Sequence, residues 1–269
     1  MSGGIACLSR REGAVLILSN NNVAARNALT FEFYQGVIAG LKEASADPAI
    51  GAVVLTGEGA HFCAGGDLRQ LAKRRELPVE ERRRLLEGLH GTVRALRDCP
   101  KPVIAAVEGA AAGAGLSLAL ACDLLVAARD SVFSVAYVKV GLTPDGGATA
   151  FLAEFVSRQV LTELCLTGER ISGERMAQLG PVNRLTEPGQ ALPVALALAR
   201  QLAAGPALAT ARIKHLCREA GRNTLADQLE LEAECMVQSQ GTEESREGIG
   251  AFLEKRVADF TRVRGKEQE

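Results

Sequence analysis

The chain has 269 residues, 47% hydrophobic and 23% charged, a composition that excludes a disordered or collagen-like polypeptide. Its 31 Lys and Arg residues nearly balance 32 Asp and Glu residues, so no overall positive field exists to hold nucleic acid or an anionic membrane. The longest apolar stretch, residues 103–128, is interrupted by Glu108, several glycines and Asp123, which argues against a membrane span.

Two further features indicate a cytoplasmic protein. The seven cysteines are scattered, with no CxxC pair and no histidine at ligand spacing, so neither a disulfide framework nor a metal site is expected. Residues 1–9 lack the basic segment and long apolar run of a secretory signal. We therefore expect a cytoplasmic location.

The first part of the chain alternates short apolar runs with amphipathic stretches. We predict strands at residues 13–19, 52–57 and 103–107. A helix is predicted from an N-cap at Thr30 to about residue 45, and the charged stretch from residue 69 is predicted to run into a second helix that ends near residue 98. This order predicts a sheet with helices packed on its faces.

The rest of the chain changes from α/β to helical. Short elements come first, in this order: a small-residue loop at 109–115, a helix at 116–121, strands at 124–128 and 131–133, and two helices after Gly147. Beyond residue 180 the pattern is helical, with breaks at 188–189 and 205–206. We divide the chain into an α/β core, residues 1–200, and a helical region, residues 201–269.

Three segments concentrate Gly and Ala directly after predicted strands, at residues 61–68, 109–116 and 141–147. Small residues let a ligand approach the backbone, and two N–H groups that converge from separate loops can stabilise a developing oxyanion. Taken singly, each segment is better explained by tight packing of a helix on the sheet. Neither a P-loop nor a GxGxxG fingerprint is present.

Taken together, six motifs carry more information. They are AARNAL at 24–29, FCAGGDL at 62–68, KPVIAAVEG at 101–109, AGAG at 112–115, LACD at 120–123 and LTG at 166–168. Their order and spacing resemble the crotonase family, also called the enoyl-CoA hydratase/isomerase superfamily, over nearly the whole chain. The resemblance implies a ClpP-like spiral of ββα units and a C-terminal helical trimerisation region. It also implies a homotrimer or a hexamer built as a dimer of trimers, which acts on acyl-CoA substrates and needs no cofactor besides the CoA of the substrate.

The resemblance also implies where an oxyanion hole lies. The two donors of the family correspond to the backbone N–H groups of Gly66 and Ala114. Two such bonds to a thioester oxygen would stabilise an enolate and so acidify the α carbon.

The acid and base groups depart from those of the hydratases in this family. Ser117 and Tyr137 stand where the hydratases carry two Glu residues, which argues against efficient hydration by the usual route. Asp145 remains, in a segment that looks most like those of 1,2-epoxyphenylacetyl-CoA isomerase and the delta-3, delta-2-enoyl-CoA isomerases. One carboxylate suffices to shuttle a proton in the isomerisation of a double bond or a ring. The resemblance places such a reaction in fatty-acid or phenylacetate-type catabolism. Without the resemblance, an Asp before Gly-Gly is better explained as a helix cap.

Other functions stay open at this stage. The chain could still be an enoyl-CoA hydratase. It could also be an acyl-CoA hydrolase or dehalogenase in which Asp145 is the nucleophile, His90 the base, and Tyr137 the residue that orients Asp145. A lone His on an amphipathic helix is more often a surface or core residue. A homologue that binds CoA without catalysis is the alternative of another class.

The resemblance implies several substrate contacts. The CoA channel would be lined by Ala25, Ala64, Asp67 and Leu68, with Arg26 near a CoA phosphate. The basic runs at 73–75 and 82–84 could add to that charge, but a solvated helix face is the simpler interpretation.

Overall fold

The computed structural model describes residues 5–264, which form a main sheet, a small second sheet and surrounding helices. The strands are β1 (Cys7–Glu12), β2 (Val15–Asn20), β3 (Ala52–Gly57), β4 (Val103–Val107), β5 (Ala110–Ala112), β6 (Leu124–Ala128), β7 (Val132–Ser134), β8 (Ile171–Ser172) and β9 (Arg184–Thr186). The main sheet has the order β1-β2-β3-β4-β6-β9 and is parallel except for the antiparallel pair of β1 and β2. The second sheet has the order β5-β7-β8.

The helices follow the strands closely along the chain. They are α1 (Phe31–Ala46), α2 (Leu68–Arg74), α3 (Val79–Asp98), α4 (Ala114–Ala121), α5 (Ala148–Ala153), α6 (Arg158–Thr167), α7 (Gly173–Leu179), α8 (Ala191–Ala203), α9 (Ala207–Glu219), α10 (Leu225–Gln240) and α11 (Glu243–Leu253). Short 3-10 turns lie at Val23–Ala25, Ala136–Val140 and Phe260–Arg262. The predicted α/β class is confirmed.

The central strands are buried on both faces because helices cover both. In β2, Leu16 and Leu18 belong to the core layer that contains residues of α1. Val15 and Ile17 of the same strand belong to the opposite layer, which contains residues of α8. This two-sided burial explains why β2, β3 and β4 are continuous apolar runs rather than alternating ones.

Several predicted boundaries agree with the structure. Thr30 is the N-cap of α1, and its Oγ1 accepts a hydrogen bond from the Phe33 N–H over 3.2 Å. Strands β3, β4 and β6 match their predicted ranges, and the predicted breaks at 188–189 and 205–206 flank α8.

Other predictions were wrong, each for a local reason. The small-residue loop contains strand β5 and the start of α4. The second predicted helix is two helices, α2 and α3, because Pro78 stands before α3 as its N-cap. Strand β9 lies in a region predicted as helical, and β1 was not predicted. Both are edge strands with exposed residues, so neither shows an apolar run.

The predicted division into a core and a helical region stays a prediction. Its boundary at residues 200 and 201 falls inside α8, and residues 1–4 and 265–269 lie outside the described residues. Within residues 5–264 no single helix is long and apolar enough to cross a membrane, and α8 with α9 meets that length and composition only as a pair bent by 114°.

Candidate active site

A cavity of about 420 Å³ opens where the loop after β3, the start of α4 and the segment before α5 meet. Ligand sites of parallel sheets commonly lie beyond the carboxyl ends of the strands, and β3 and β4 both end toward this region. Six of the predicted site residues lie on its wall: Ala64, Gly66, Leu68, Ala114, Tyr137 and Asp145. Its apolar lining includes Leu71, Leu85, Leu86, Leu89, Val140 and Leu142.

Two loops are held together at the bottom of the cavity. Cys63 forms an isolated parallel bridge with Ala111, in which its N–H donates to the Ala110 carbonyl over 2.8 Å. Gly65 has a φ of +97°, and a Cβ at this residue would lie only 2.7 Å from the Ala112 carbonyl oxygen and 3.7 Å from the Ala114 nitrogen. The close approach therefore requires glycine at residue 65.

This packing leaves two backbone donors at the cavity wall. Among residues 5–264, neither the Gly66 nor the Ala114 N–H has a hydrogen-bond acceptor. Ala114 is the first residue of α4, whose N-cap, Gly113, has a φ of +51° and a ψ of −127°. Two unpaired N–H groups beside one cavity can bind a ligand oxygen, as the sequence predicts.

Asp145, Tyr137 and Ser117 form a hydrogen-bonded group on the cavity wall. The Tyr137 hydroxyl donates to Asp145 Oδ1 over 2.7 Å, and Ser117 Oγ donates to the Asp145 carbonyl oxygen over 2.9 Å. The two hydroxyls lie 3.2 Å apart. Helix α5 begins after Gly147 without a side-chain cap, so the structure does not support the capping alternative for Asp145.

Burial controls the ionisation of this group. It raises the pKa of Asp145 above its ordinary value, although the Tyr137 hydrogen bond and the charges of His90 and Arg74 act in the opposite direction. Burial also raises the pKa of Tyr137, and the Asp145 charge adds to that rise. Tyr137 therefore remains a protonated donor to Asp145.

His90 lies on α3 and does not line the cavity. Its side chain is 37% exposed, and its Nδ1 lies 3.7 Å from Glu87 Oε1. The adjacent Leu89 lines the cavity, and the charge of His90 reaches Asp145. The structure thus brings His90 near the site without placing it on the wall, and its role as a base stays a prediction.

The predicted CoA contacts form two groups. Ala25 and Arg26 lie in and next to an exposed 3-10 turn, and the Ala64 N–H donates to the Arg26 carbonyl over 3.0 Å, which joins this turn to the cavity wall. Asp67 does not line the cavity. Its Oδ1 accepts from the Arg69 N–H over 2.8 Å and so caps α2, whereas Leu68 beside it is 58% exposed on the wall.

Four polar residues of the wall were not predicted as site residues: Tyr34, Arg74, Lys139 and Thr143. Tyr34 reaches the cavity because its ring packs at Gly88 of α3, where a Cβ would lie 2.9 Å from Tyr34 Cδ2. The only sequence signal for this contact is a glycine inside a helix, which favours close packing of another side chain. Arg74 belongs to a run that was interpreted as a solvated face, but it is half-buried on the wall.

The comparisons with known proteins agree with this architecture. The family model for enoyl-CoA hydratase/isomerase matches residues 10–263. The 1,2-epoxyphenylacetyl-CoA isomerase of Escherichia coli K12 is 36% identical, with 94% of this chain and 97% of that protein covered. The 2,3-dehydroadipyl-CoA hydratase of the same strain is 34% identical, with 93% and 96% covered.

A solved structure gives the same result at the level of the fold. An enoyl-CoA hydratase from Polaromonas sp. JS666 superposes with a TM-score of 0.92 at 48% sequence identity, with 94% of this chain and 98% of that chain covered. The family match at residues 10–263 spans most of the main sheet, the cavity and the C-terminal helices. The chain therefore belongs to the enoyl-CoA hydratase/isomerase family.

Proposed function

We propose that the protein is an acyl-CoA isomerase in which Asp145 moves a proton between two carbons of one thioester enolate. The observation that carries this proposal is the composition of the cavity wall. Among its lining residues, Asp145 is the one that carries a carboxylate, and it shares the wall with the Gly66 and Ala114 N–H groups. A single carboxylate beside two N–H donors suits enolate chemistry without an added water.

The proposed reaction begins with the thioester oxygen bound by the two N–H groups. The free Oδ2 of Asp145 removes a proton from the α carbon of a 3-enoyl thioester, and the C–H electron pair moves through the carbonyl carbon to the oxygen. A dienolate results. The protonated carboxyl then returns a proton to the γ carbon, which leaves the double bond between the α and β carbons. Tyr137 holds Oδ1, so Oδ2 remains for the transfer.

Hydration of an enoyl-CoA is the second candidate function, because two similar proteins are named as hydratases. It requires a water held and split across the double bond, which two carboxylates do well. In this chain Ser117 and Tyr137 hydrogen-bond each other and Asp145, so they offer hydroxyls in place of those carboxylates.

An assay in deuterated water tests the proposal. The purified protein is incubated with a 3-enoyl-CoA, with crotonyl-CoA and with phenylacetyl-CoA 1,2-epoxide, and the products are followed by mass spectrometry. We expect a shift of the double bond or ring expansion, with slow hydration of crotonyl-CoA. Fast hydration together with no isomerisation would reject the isomerase assignment in favour of the hydratase.

We also propose self-association and a cytoplasmic location. Large apolar side chains of α10 and α11 are exposed in the single chain, among them Leu225, Met236 and Phe252, and a homotrimer or hexamer would cover them. All seven cysteines are unpaired, which suits a reducing compartment. Sedimentation of the purified protein measures the assembly directly.

Replacement of Tyr137 with Phe is expected to move the acid limb of the pH profile upward. A base must be deprotonated, so kcat/KM falls as the pH drops through the pKa of Asp145, which burial raises above 3.8. The Tyr137 hydrogen bond lowers that pKa, and its loss raises it further. The measurement is kcat/KM against pH for both proteins, and an unchanged or lower acid limb would contradict the assignment of Asp145 as base.

Replacement of Gly65 with Ala is expected to reduce kcat about a hundredfold, because a displacement of about 1 Å in a catalytic group can have that effect. The new Cβ would lie 2.7 Å from the Ala112 carbonyl oxygen, so the donor loops must move apart. Gly13→Ala is the matched control, since Gly13 also has a positive φ but nothing lies within 4 Å of its Cβ position. It should cost stability and leave kcat unchanged. Equal kcat values for the two variants would exclude the donor loops from catalysis.

A further inference from the structure

The cavity wall contains an arginine, Arg74, that forms no salt bridge with the residues that the structure describes. Arg74 ends α2 and is half-buried, and among residues 5–264 no hydrogen bond or ion pair engages its guanidinium. Two exposed arginines of the neighbouring α3, Arg84 and Arg94, are paired instead, each 2.6 Å from a Glu carboxylate oxygen. A half-buried guanidinium offers several unused donors to whatever enters the cavity.

A second donor on the same wall is also unused. The Tyr34 ring is packed at Gly88, and its hydroxyl has no hydrogen-bond partner in the described part of the chain. The side chain is half-buried, so its hydroxyl is open to a ligand in the cavity. Burial raises the pKa of Tyr34 and the charge of Arg74 opposes that rise, so the two groups lie within electrostatic reach of each other. Among residues 5–264 no acceptor forms a hydrogen bond with either group.

The position of this pair points to the acyl group rather than to the CoA phosphates. The charge of Arg74 also reaches Asp145, the proposed proton carrier. Arg74 and Asp145 both line the cavity, so an anion held by Arg74 would occupy the same cavity as the acyl group. The remaining wall there is apolar, with Leu71, Leu85 and Leu89, so a carboxylate would lose its water and would need both donors.

We propose that Arg74 and Tyr34 bind a carboxylate at the end of the acyl chain remote from the thioester. The cavity then selects CoA thioesters of dicarboxylic acids over fatty acyl-CoA thioesters of equal length. The guanidinium forms a charge-assisted bond to the carboxylate, and the Tyr34 hydroxyl donates a second bond. This inference rests on the proposed function, because it assigns a substrate class to the same cavity.

Binding of unreactive thioesters tests the inference independently of turnover. Hexanoyl-CoA and adipyl-CoA differ only in a terminal methyl or carboxylate, and calorimetry gives a Kd for each. We expect Arg74→Gln to weaken adipyl-CoA binding about tenfold to a hundredfold, which is the range for hydrogen bonds to charged groups, and to leave hexanoyl-CoA binding nearly unchanged. Tyr34→Phe should weaken adipyl-CoA binding by a smaller factor with the same selectivity.

Arg75→Gln is the matched control, because it removes the same charge from the next residue, which does not line the cavity. It should change neither Kd. Equal weakening of both thioesters and of free CoA in Arg74→Gln would assign Arg74 to the CoA phosphates and overturn the inference, and so would no change at all. If wild-type selectivity is present but 3-enoyl thioesters are not isomerised, the proposed function fails while the dicarboxylate preference stands.

Discussion

Asp145→Asn is expected to lower kcat for isomerisation about a hundredfold to ten-thousandfold, the usual contribution of a general acid or base. The amide keeps the shape of the carboxyl and can still accept the Tyr137 hydrogen bond, but it cannot carry a proton. The Gly66 and Ala114 N–H groups are unaffected, so CoA thioesters should bind almost as before. Steady-state kinetics with a 3-enoyl-CoA and calorimetry with a saturated thioester measure the two effects separately.

Asp130→Asn provides the control for that experiment. Asp130 is exposed and does not line the cavity, so its loss removes the same charge without touching the proposed chemistry. We expect wild-type kcat in this variant. Turnover by Asp145→Asn at more than about a tenth of the wild-type rate would be too high for the loss of a proton carrier and would transfer the role to another group.

Asp145→Asn should be as stable as the wild type or more stable near neutral pH. Burial raises the pKa of Asp145 in the folded state above its value of 3.8 in the unfolded chain. The folded state therefore favours the protonated carboxyl, and stability is lost as the pH rises from 3.8 through the folded pKa. Asn avoids that loss because it never ionises. Thermal unfolding of both proteins at several pH values measures this difference in stability. A clearly lower Tm for Asp145→Asn near neutral pH would contradict the expected stabilisation.

The interior of the fold could be predicted from sequence because burial on both faces leaves a plain signal. Strands β3, β4 and β6 are continuous apolar runs, and Thr30 supplies the acceptor that begins α1. Strands β1 and β9 could not be predicted in the same way. They stand at the two edges of the main sheet, where the neighbouring strand determines the conformation and exposed residues such as Arg184 leave no apolar pattern.

The residues of the candidate site also differ in how far they could be predicted from sequence. The Gly66 and Ala114 N–H groups and the Asp145 loop lie in segments rich in Gly and Ala. The sequence motifs therefore identified these three residues as site residues. Tyr34 reaches the cavity through the packing of α1 against α3, and Arg74 through the position of α2 along the cavity wall, and both are properties of the tertiary structure. Asp67 lies inside a motif, yet its side chain caps α2. A motif thus identifies a loop more reliably than it assigns each side chain in it.

The ion pair between Asp123 and Lys214 joins the C-terminal helices to the sheet. Lys214 Nζ of α9 lies 2.7 Å from Asp123 Oδ2, and the two side chains are only 11% and 20% exposed. Asp123 Oδ2 also accepts from the Val103 N–H over 2.8 Å, and Lys214 Nζ donates to the Leu96 and Lys101 carbonyls over 3.2 and 3.3 Å. Burial raises the pKa of Asp123, and Lys214 opposes that rise.

Lys214→Met should lower the free energy of unfolding by about 3–5 kcal/mol near neutral pH, because it leaves a mostly buried carboxylate with the Val103 N–H as its remaining hydrogen-bond donor. Without Lys214 the folded pKa of Asp123 rises further, so the loss should shrink as the pH falls through that pKa and the carboxyl becomes neutral. Denaturant unfolding at several pH values measures both effects.

Two variants separate an uncompensated charge from a simple loss of contacts. Arg84→Met removes a cation from an exposed pair with Glu81 and should cost less than about 1 kcal/mol. Asp123→Asn combined with Lys214→Met removes both charges, and it should be more stable than Lys214→Met alone near neutral pH. If the double variant is the less stable of the two, the unpaired carboxylate does not explain the loss in Lys214→Met. The loss then comes from the contacts of the lysine stem and from the hydrogen bonds of its ammonium to the Leu96 and Lys101 carbonyls.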